Sequence, residues 1–171
     1  MRVYPTRLAI GVAALGAPLA LGVALAAPRF WTAAAAWILM TVGLMLADAL
    51  LAARPSRLAL TLAAPGAMGL GRAEDATVEA AFQGTAPREI ELAVGVNARL
   101  TANPARQRLR LGGGWGRAVV SLTPQRRGEG RLEQLWARWR GLLGLGWLQR
   151  TEAPDRKIAI TPDVERVKDL A

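Results

Sequence analysis

The sequence contains neither cysteine nor histidine in its 171 residues. Without cysteine the chain has no disulfide framework and no thiol nucleophile. Without histidine it lacks the usual general base and the commonest zinc ligand. These absences exclude a Ser-His-Asp hydrolase, a Cys-His hydrolase and a structural zinc module. They do not decide between an oxidising and a reducing compartment.

Lysine is also scarce, since Lys157 and Lys168 are the only two. Neither follows a glycine, so the chain has no Walker loop, in which Gly-Lys precedes Ser or Thr. The glycine-rich segment 112–116 continues with Arg117 where a dinucleotide-binding fingerprint requires glycine. We interpret this segment as a flexible hairpin loop, and no nucleotide site is predicted.

Acidic residues are few, and they are interspersed with arginines. Glu74 and Asp75 are adjacent, and Glu89 and Glu91 share one face of a predicted strand. Paired carboxylates bind cations or perform acid–base chemistry when they are enclosed, but these lie in arginine-rich segments that we interpret as solvent-facing. The sequence therefore predicts no catalytic residue, no metal ligand, no cofactor and no small-molecule substrate.

Long hydrophobic runs occupy the first third of the chain. Residues 8–28 carry no charge over 21 positions, and residues 30–47 carry none over 18, before Asp48 and Arg54 follow. A helix needs about 20 apolar residues to cross a hydrocarbon layer of about 30 Å. Two buried helices of a soluble protein fit less well, because residues 8–26 show no polar stripe at helical spacing. We predict a transmembrane helical hairpin over residues 1–54.

Positive charge beside these runs predicts the orientation of the hairpin. The connecting turn carries only Arg29, whereas the outer flanks carry four arginines, namely Arg2, Arg7, Arg54 and Arg57. By the positive-inside rule, both termini are expected in the cytoplasm of a bacterium, with two spans in the inner membrane and the lipid bilayer as a partner. A signal peptide cleaved after residues 24–26 is an alternative, but the apolar run exceeds the usual 7–15 residues.

Asp48 is the one ionisable residue within the predicted spans. Such a residue is a functional candidate by default. The six residues from Asp48 to Arg54 correspond to roughly 9 Å of helix rise, so the carboxylate can reach the membrane surface. We interpret it as an interfacial intramembrane polar residue. A relay residue for protons or ions is the alternative, although two apolar spans offer few polar partners.

From residue 55 onward, the sequence shows the pattern of a β domain. Hydrophobic and polar residues follow a period of two in short segments separated by glycine, proline and asparagine. The clearest predicted strands are residues 57–62, 77–82, 89–94, 106–111, 117–123 and 157–161. About seven strands without a convincing helix predict an antiparallel immunoglobulin-like β-sandwich over residues 55–171. The predicted fold class is thus a membrane-anchored all-β protein.

The segment 132–139 fits two secondary structures. Leu132, Leu135, Trp136 and Trp139 lie at the spacing of a helical stripe, whereas Leu135, Ala137 and Trp139 lie at strand spacing. Flanking glycines favour a strand, but periodicity alone leaves both open in so short a segment.

Arginine is abundant, since all but two of the 22 basic residues are arginines. Arginines beside tryptophans can hold single-stranded nucleic acid. The interspersed acids instead favour charge that is solvated or faces acidic lipid, so we predict no nucleic-acid partner. The tryptophans either pack in the core or anchor a protein partner. The candidate interaction residues are Arg126, Arg127, Trp136, Arg138, Trp139, Arg140 and Trp147.

Three segments carry a resemblance to a known family. Residues 124–132 read Pro-Gln-Arg-Arg-Gly-Glu-Gly-Arg-Leu, residues 138–147 read Arg-Trp-Arg-Gly-Leu-Leu-Gly-Leu-Gly-Trp, and residues 158–164 read Ile-Ala-Ile-Thr-Pro-Asp-Val. In this order they resemble the amino-terminal region of the bacterial family called domain of unknown function fifty-eight. Its members typically begin with a two-helix membrane hairpin and continue into a β-rich region. Residues 140–145 stand where that family has an Asp-Pro-Leu-Gly-Leu-like loop, without its usual Asp-Pro.

The resemblance implies a strand over residues 132–139. It also implies that the family's von Willebrand factor A-like part is missing, so that the chain is a fragment or a shortened member. Members are commonly linked with MoxR-type AAA+ ATPases. We therefore expect a non-enzymatic inner-membrane scaffold protein with such an ATPase as its partner. The alternatives are a non-catalytic membrane subunit of an enzyme whose active domain is missing or supplied in trans, and a sensor or transport component that uses Asp48.

Overall fold

The computed structural model describes residues 3–27, 29 and 31–161, and the chain divides into two compact units. Unit 1 consists of residues 1–55 and 139–149, and unit 2 consists of residues 56–138 and 150–171. The predicted domains, 1–54 and 55–171, differ in that they assign residues 139–149 to the second domain. Arg2, positions 28 and 30, and the segment 162–171 with its Pro-Asp-Val lie outside the described residues.

Two helices make up most of unit 1, namely α1, Arg7–Ala26, and α2, Trp31–Leu51. They approach each other where α1 carries Gly16. A Cβ atom at this position would collide with the indole ring of Trp37 on α2. A small residue is therefore required at this crossing, as is usual where two apolar helices pack closely.

The tip of a β-hairpin, residues 139–149, completes unit 1. Strand β9, Gly128–Arg140, and strand β10, Gly146–Glu152, are joined by the intervening residues 141–145. The short strand β1, Val3–Pro5, pairs antiparallel with the beginning of β10, so that Tyr4 lies opposite Trp147. The segment ahead of α1 is thereby fixed to a part of the chain that is distant in sequence.

The predicted fold class is wrong in its membrane part. Among the described residues, one helical segment is long and apolar enough to cross a membrane. It consists of α2 and the residues that follow it as far as Arg57. Within the described residues, α1 contributes the shorter apolar helix Arg7–Val23, which does not meet the same requirement. The sequence argument counted uncharged residues, whereas a membrane span also requires a helix that is long and apolar enough. A two-helix transmembrane hairpin is therefore not supported.

Unit 2 contains two β-sheets. Their strands, besides β9, are β2, Leu58–Ala63; β3, Ala67–Gly69; β4, Glu74–Phe82; β5, Glu89–Val96; β6, Leu100–Asn103; β7, Arg106–Arg110; β8, Trp115–Pro124; and β11, Arg156–Thr161. One sheet has the order β2-β4-β8-β6, and in the other β5 lies between β7 and β9 while β11 lies between β9 and β3. A short 3-10 helix, Pro55–Arg57, precedes β2.

Alternating burial shows where the core of unit 2 lies. In β4 every second side chain from Ala76 to Phe82 is buried, and in β8 the same holds from Gly116 to Pro124. The predicted β-sandwich is therefore confirmed for this part of the chain. It is not purely antiparallel, because β3 and β11 run parallel, with Met68 opposite Ile160.

A β-bulge explains why the segment 132–139 fitted two secondary structures. Leu132 and Leu135 are both buried in strand β9 although an odd number of positions separates them. The register between β5 and β9 shifts at this point, since Gly95 pairs with Gln134 and Val96 pairs with Leu132, which leaves Glu133 as the extra residue. The strand implied by the family resemblance is what the structure contains.

We expect Leu122→Ala to lower the free energy of unfolding of the full chain by about 2–5 kcal/mol, because the Leu122 side chain is fully buried in the sandwich. Val119→Ala on the same strand is the matched control, since Val119 is exposed and its loss is expected to change stability by less than about 0.5 kcal/mol. Denaturant unfolding in detergent measures both. Equal effects of the two substitutions would contradict the assignment of the core face.

Candidate functional site

The side chain of Asp48 forms the most unusual polar arrangement in unit 1. Asp48 lies in α2, three residues before its end, and is 0% exposed. Its Oδ1 accepts a hydrogen bond from the backbone N–H of Leu143 at 2.6 Å. Its Oδ2 accepts two, from the N–H groups of Leu145 at 2.8 Å and Gly146 at 2.9 Å. Three donors that meet two oxygens suit an ionised carboxylate, which has only acceptor positions.

The donors belong to the connection between β9 and β10, and we call residues 141–146 the Asp48 loop. The loop closes on itself, since the N–H of Gly141 donates to the carbonyl of Gly146 at 2.9 Å and the N–H of Gly144 donates to the carbonyl of Gly141 at 3.1 Å. Gly144 has a φ of +72°, which favours glycine. A Cβ at Gly141 would collide with the carboxylate of Asp48, so that position also requires glycine.

Thr6 fastens the Asp48 loop a second time. Its hydroxyl donates to the carbonyl of Gly144 at 2.8 Å, and its N–H donates to the carbonyl of Leu145 at 2.9 Å. The same hydroxyl accepts the N–H of Ala9 at 3.2 Å and so caps the beginning of α1. The loop is therefore bound to the beginning of α1 and to the end of α2 by hydrogen bonds from both.

Two tryptophans flank the Asp48 loop, one at the end of β9 and one at the start of β10. The Trp139 ring is buried, and its Nε1–H donates to the carbonyl of Ala53 at 3.0 Å. Trp147 is half-buried, and the guanidinium of Arg140 lies over its ring, 4.9 Å from the centroid. A cation at this distance is attracted to the face of an indole ring.

This arrangement holds the Asp48 loop against the two helices of unit 1. All three hydrogen bonds to Asp48 come from backbone donors, and no group of three or more metal-ligating side chains occurs within the described residues. The sequence predicted an interfacial carboxylate that reaches the surface, whereas the structure buries Asp48 and satisfies it within unit 1. Its partners were not predictable from α2 alone.

The other predicted interaction residues are divided between the two units. Arg126 and Arg127 are exposed in the loop between β8 and β9 of unit 2. Trp136 lies on β9 against Gly95, where a Cβ would stand only 2.9 Å from the indole ring. Arg138 forms an ion pair with Glu91 at 2.6 Å. In unit 1, Arg140 and Trp147 are in contact.

Several glutamates of unit 2 also pair with arginines across or along its strands. The pairs include Arg117 with Glu79, Arg138 with Glu91, Arg131 with Glu129 and Arg150 with Glu152. The hydrogen bond from Arg131 holds the pKa of Glu129 below its ordinary value. The folded state therefore favours the ionised Glu129 at neutral pH, and this contribution is lost as the pH falls through the lowered pKa.

An exposed aromatic residue escaped the sequence analysis. Trp115 begins β8 and is 48% exposed, with the guanidinium of Arg117 lying 5.7 Å from its ring centroid. Val119 follows on the same face of the strand and is also exposed. The glycine-rich segment 112–116, which contains Trp115, was predicted to be a loop throughout, whereas β8 begins at Trp115. The alternation of β8, which buries Gly116 and Ala118, would have placed Trp115 on the outer face.

Comparisons with known proteins give a remote likeness in fold. No family model and no curated protein matches the chain. Two structures of the alpha-2-macroglobulin of E. coli, one native and one activated by trypsin, are similar at 18% identity with a TM-score of 0.42, over 62% of this chain and 7% of the macroglobulin chain. WR4, an MSP family member of C. elegans, is similar at 8% identity with a TM-score of 0.31, over 60% of this chain and 96% of that one. The chain thus spans a small fraction of the macroglobulin, and these likenesses assign it to no family.

We expect Gly141→Ala to destabilise the chain, because its new methyl group would displace the carboxylate of Asp48 from its three donors. Gly66→Ala is the matched control, because a Cβ at Gly66 meets no atom within 4 Å. Thermal unfolding in detergent should show a clear decrease in Tm for Gly141→Ala and little change for Gly66→Ala. A Tm for Gly141→Ala equal to that of the control would refute the close contact.

Asp48→Asn tests the three hydrogen bonds directly. The amide of asparagine retains one acceptor oxygen and turns an NH₂ group toward N–H donors, so we expect local opening of the Asp48 loop to become easier by about 1–3 kcal/mol. Hydrogen exchange at the amides of Leu143, Leu145 and Gly146 should accelerate accordingly. Thr41→Val, on the same helix, removes a hydroxyl that donates to the carbonyl of Trp37 and should leave these amides unchanged. Unaltered exchange in Asp48→Asn would show that the carboxylate does not hold the loop.

Proposed function

We propose that this chain is an inner-membrane-anchored interaction protein of a bacterium, and not an enzyme, with α2 as its anchor and the β-sandwich as its binding domain. One observation carries the proposal, which is the exposure of α2. The candidate span Trp31–Arg57 has 27 residues, and only 6% of its most apolar 18-residue stretch is buried within the protein. A core helix of a soluble protein buries its apolar side chains, whereas a helix in lipid leaves them on the surface.

The exposed apolar side chains of α2 are not confined to one face. Successive helical residues point about 100° apart, so exposure at three consecutive positions covers most of the circumference. Large exposed apolar residues of α2 include Ile38, Leu39, Met40, Val42, Leu44, Leu46, Leu50 and Leu51. A solvated surface of this kind would cause aggregation, and a bilayer removes that cost.

The charges beside α2 support a cytoplasmic β-sandwich. Arg54 and Arg57 follow the helix closely, whereas Arg29 is the one basic residue among the 20 positions before it, residues 11–30. Positive residues are retained on the cytoplasmic side during insertion, so the end of α2 and the sandwich that follows would face the cytoplasm.

The binding role is supported by the resemblance described above and by the outer face of β8. Trp115, Arg117 and Val119 present an exposed aromatic ring, a cation and an aliphatic side chain in a row on one strand. Tryptophan and arginine are enriched in protein interfaces and among their energetic hot spots. The partner we propose is a MoxR-type AAA+ ATPase, because members of the resembled family are commonly linked with such ATPases. A non-catalytic subunit of an enzyme complex would use the same face for a different partner.

Membrane fractionation tests the anchor. The full chain should remain with the membranes after alkaline carbonate extraction. Leu39→Arg combined with Leu46→Arg should release it, because each arginine near the centre of a span costs about 2.5–3.5 kcal/mol on insertion scales. Thr61→Arg combined with Thr101→Arg adds the same charge on the sandwich and should leave the chain in the membrane fraction. A wild-type chain that is extracted by carbonate, or recovered folded in the aqueous fraction, would contradict the anchor.

The absence of cysteine allows a clean test of orientation. A single cysteine introduced as Gln125→Cys lies at an exposed position of the sandwich. A membrane-impermeant maleimide should label it only after spheroplasts are lysed. Labelling of intact spheroplasts would place the sandwich on the opposite side.

Site-specific photocrosslinking in native membranes tests the partner. A photoreactive residue at Trp115 should capture an AAA+ ATPase, whereas the same residue at Arg106, an exposed position on the other sheet, should capture it much less. Loss of capture at Val119 in a Trp115→Ala background would support a contact through the indole ring. Equal capture at Trp115 and Arg106 would contradict a specific face.

A further inference from the structure

The backbone of the Asp48 loop directs its polar groups inward. Of its six N–H groups, five donate to partners within unit 1: those of Leu143, Leu145 and Gly146 to Asp48, and those of residues 141 and 144 to carbonyls of the loop. The carbonyls of residues 144 and 145 accept hydrogen bonds from Thr6. Most of the polar backbone groups of this loop therefore need no hydrogen bond from water.

The side chains at the tip of the loop point the other way. Leu142 is 76% exposed and Leu143 is 49% exposed, although both are large and aliphatic. Irregular backbone is tolerated at membrane depth only where its polar groups are satisfied within the protein. The combination of a satisfied backbone with outward leucines is what a loop in contact with lipid requires, and a loop in water gains nothing from it.

The attachment points place the loop at one end of the proposed anchor. Asp48 lies 17 residues after Trp31, or about 26 Å along the helix axis, close to the far boundary of a hydrocarbon layer of about 30 Å. Leu50 and Leu51, in the last turn of α2, are exposed at the same end. The two exposed leucines of the loop therefore lie at about the depth at which α2 leaves the hydrocarbon layer.

Residues typical of the headgroup region lie on the strands that flank the loop. Tyr4 on β1 is opposite Trp147 on β10, and aromatic side chains with a polar end favour the membrane interface. Arg7, Arg54 and Arg140 are exposed in the same unit. Together they supply positive charge that complements acidic phospholipid headgroups.

We propose that the Asp48 loop is a second membrane-contacting element, which inserts Leu142 and Leu143 into the interfacial layer of the bilayer beside the end of α2. The inference rests on the proposed anchoring by α2 and goes beyond it, because it assigns a lipid contact to a segment that follows α2 by about 90 residues. Asp48 acts as the positioning residue, since it holds the backbone of the loop in the required conformation.

Fluorescence quenching by spin-labelled lipids tests the proposal. The cysteine-free full chain is reconstituted into vesicles of phosphatidylcholine and phosphatidylglycerol with a fluorophore attached at Leu142→Cys. The reference sites are Leu39→Cys, for the hydrocarbon interior, and Gln125→Cys, for water. The nitroxide is placed either near the headgroup or near the end of the acyl chain. Leu143→Cys repeats the measurement in case the first variant fails to fold, as judged by circular dichroism.

We expect the fluorophore at Leu142 to be quenched several-fold more than that at Gln125 by the shallow nitroxide, and less than that at Leu39 by the deep nitroxide. Adding Asp48→Asn should reduce the quenching at Leu142 and leave that at Leu39 unchanged. If Leu39 is quenched while Leu142 behaves as Gln125 does, the loop contact is refuted and the anchor stands. If Leu39 is not quenched either, the anchor fails and the inference fails with it.

Discussion

A carboxylate that is withdrawn from water must recover the hydrogen bonds of its lost hydration, and in unit 1 Asp48 recovers them from the backbone of one loop. Three N–H groups converge on its oxygens, and the conformation of the loop is the one that makes them converge. Glycine at 141 leaves space for the carboxylate, and glycine at 144 provides the left-handed turn. The sequence of the loop is thus determined in large part by a residue on α2.

The β-sandwich was predictable from local alternation because a half-buried strand displays its environment in its own sequence. Strands such as β4 and β8 bury every second residue, and a period of two is visible without any knowledge of the partner strand. The predictions were less successful for short strands. The strands β3 and β6 have three and four residues, too few for a period to be recognised, and their pairing with β11 and β8 is set by tertiary contacts. The bulge at Glu133 shows how one added residue can make a strand look helical.

The membrane part and the partners of Asp48 were harder to predict, for different reasons. The absence of charge over residues 8–28 shows that the segment prefers an apolar environment, but it does not establish that the segment spans a membrane. For Asp48, the residue itself was identified as unusual. Its hydrogen-bond partners could not be predicted, because every residue except proline has a backbone N–H group and the sequence does not mark which of them will donate. The available signal was the pair Gly141 and Gly144 around two leucines, and it identifies a tight turn without saying what the turn encloses.

The bonds of Asp48 also impose an order in time on biosynthesis. Leu143 is 95 residues further along the chain, and at a synthesis rate of about 5–20 residues per second the ribosome needs roughly 5–20 seconds to make the intervening segment. During this interval α2 has already emerged, and its carboxylate has no donor from the Asp48 loop. Nascent α2 must therefore keep Asp48 hydrated or bonded to other donors until the Asp48 loop has been synthesised, so unit 1 is completed after most of the β-sandwich has been synthesised.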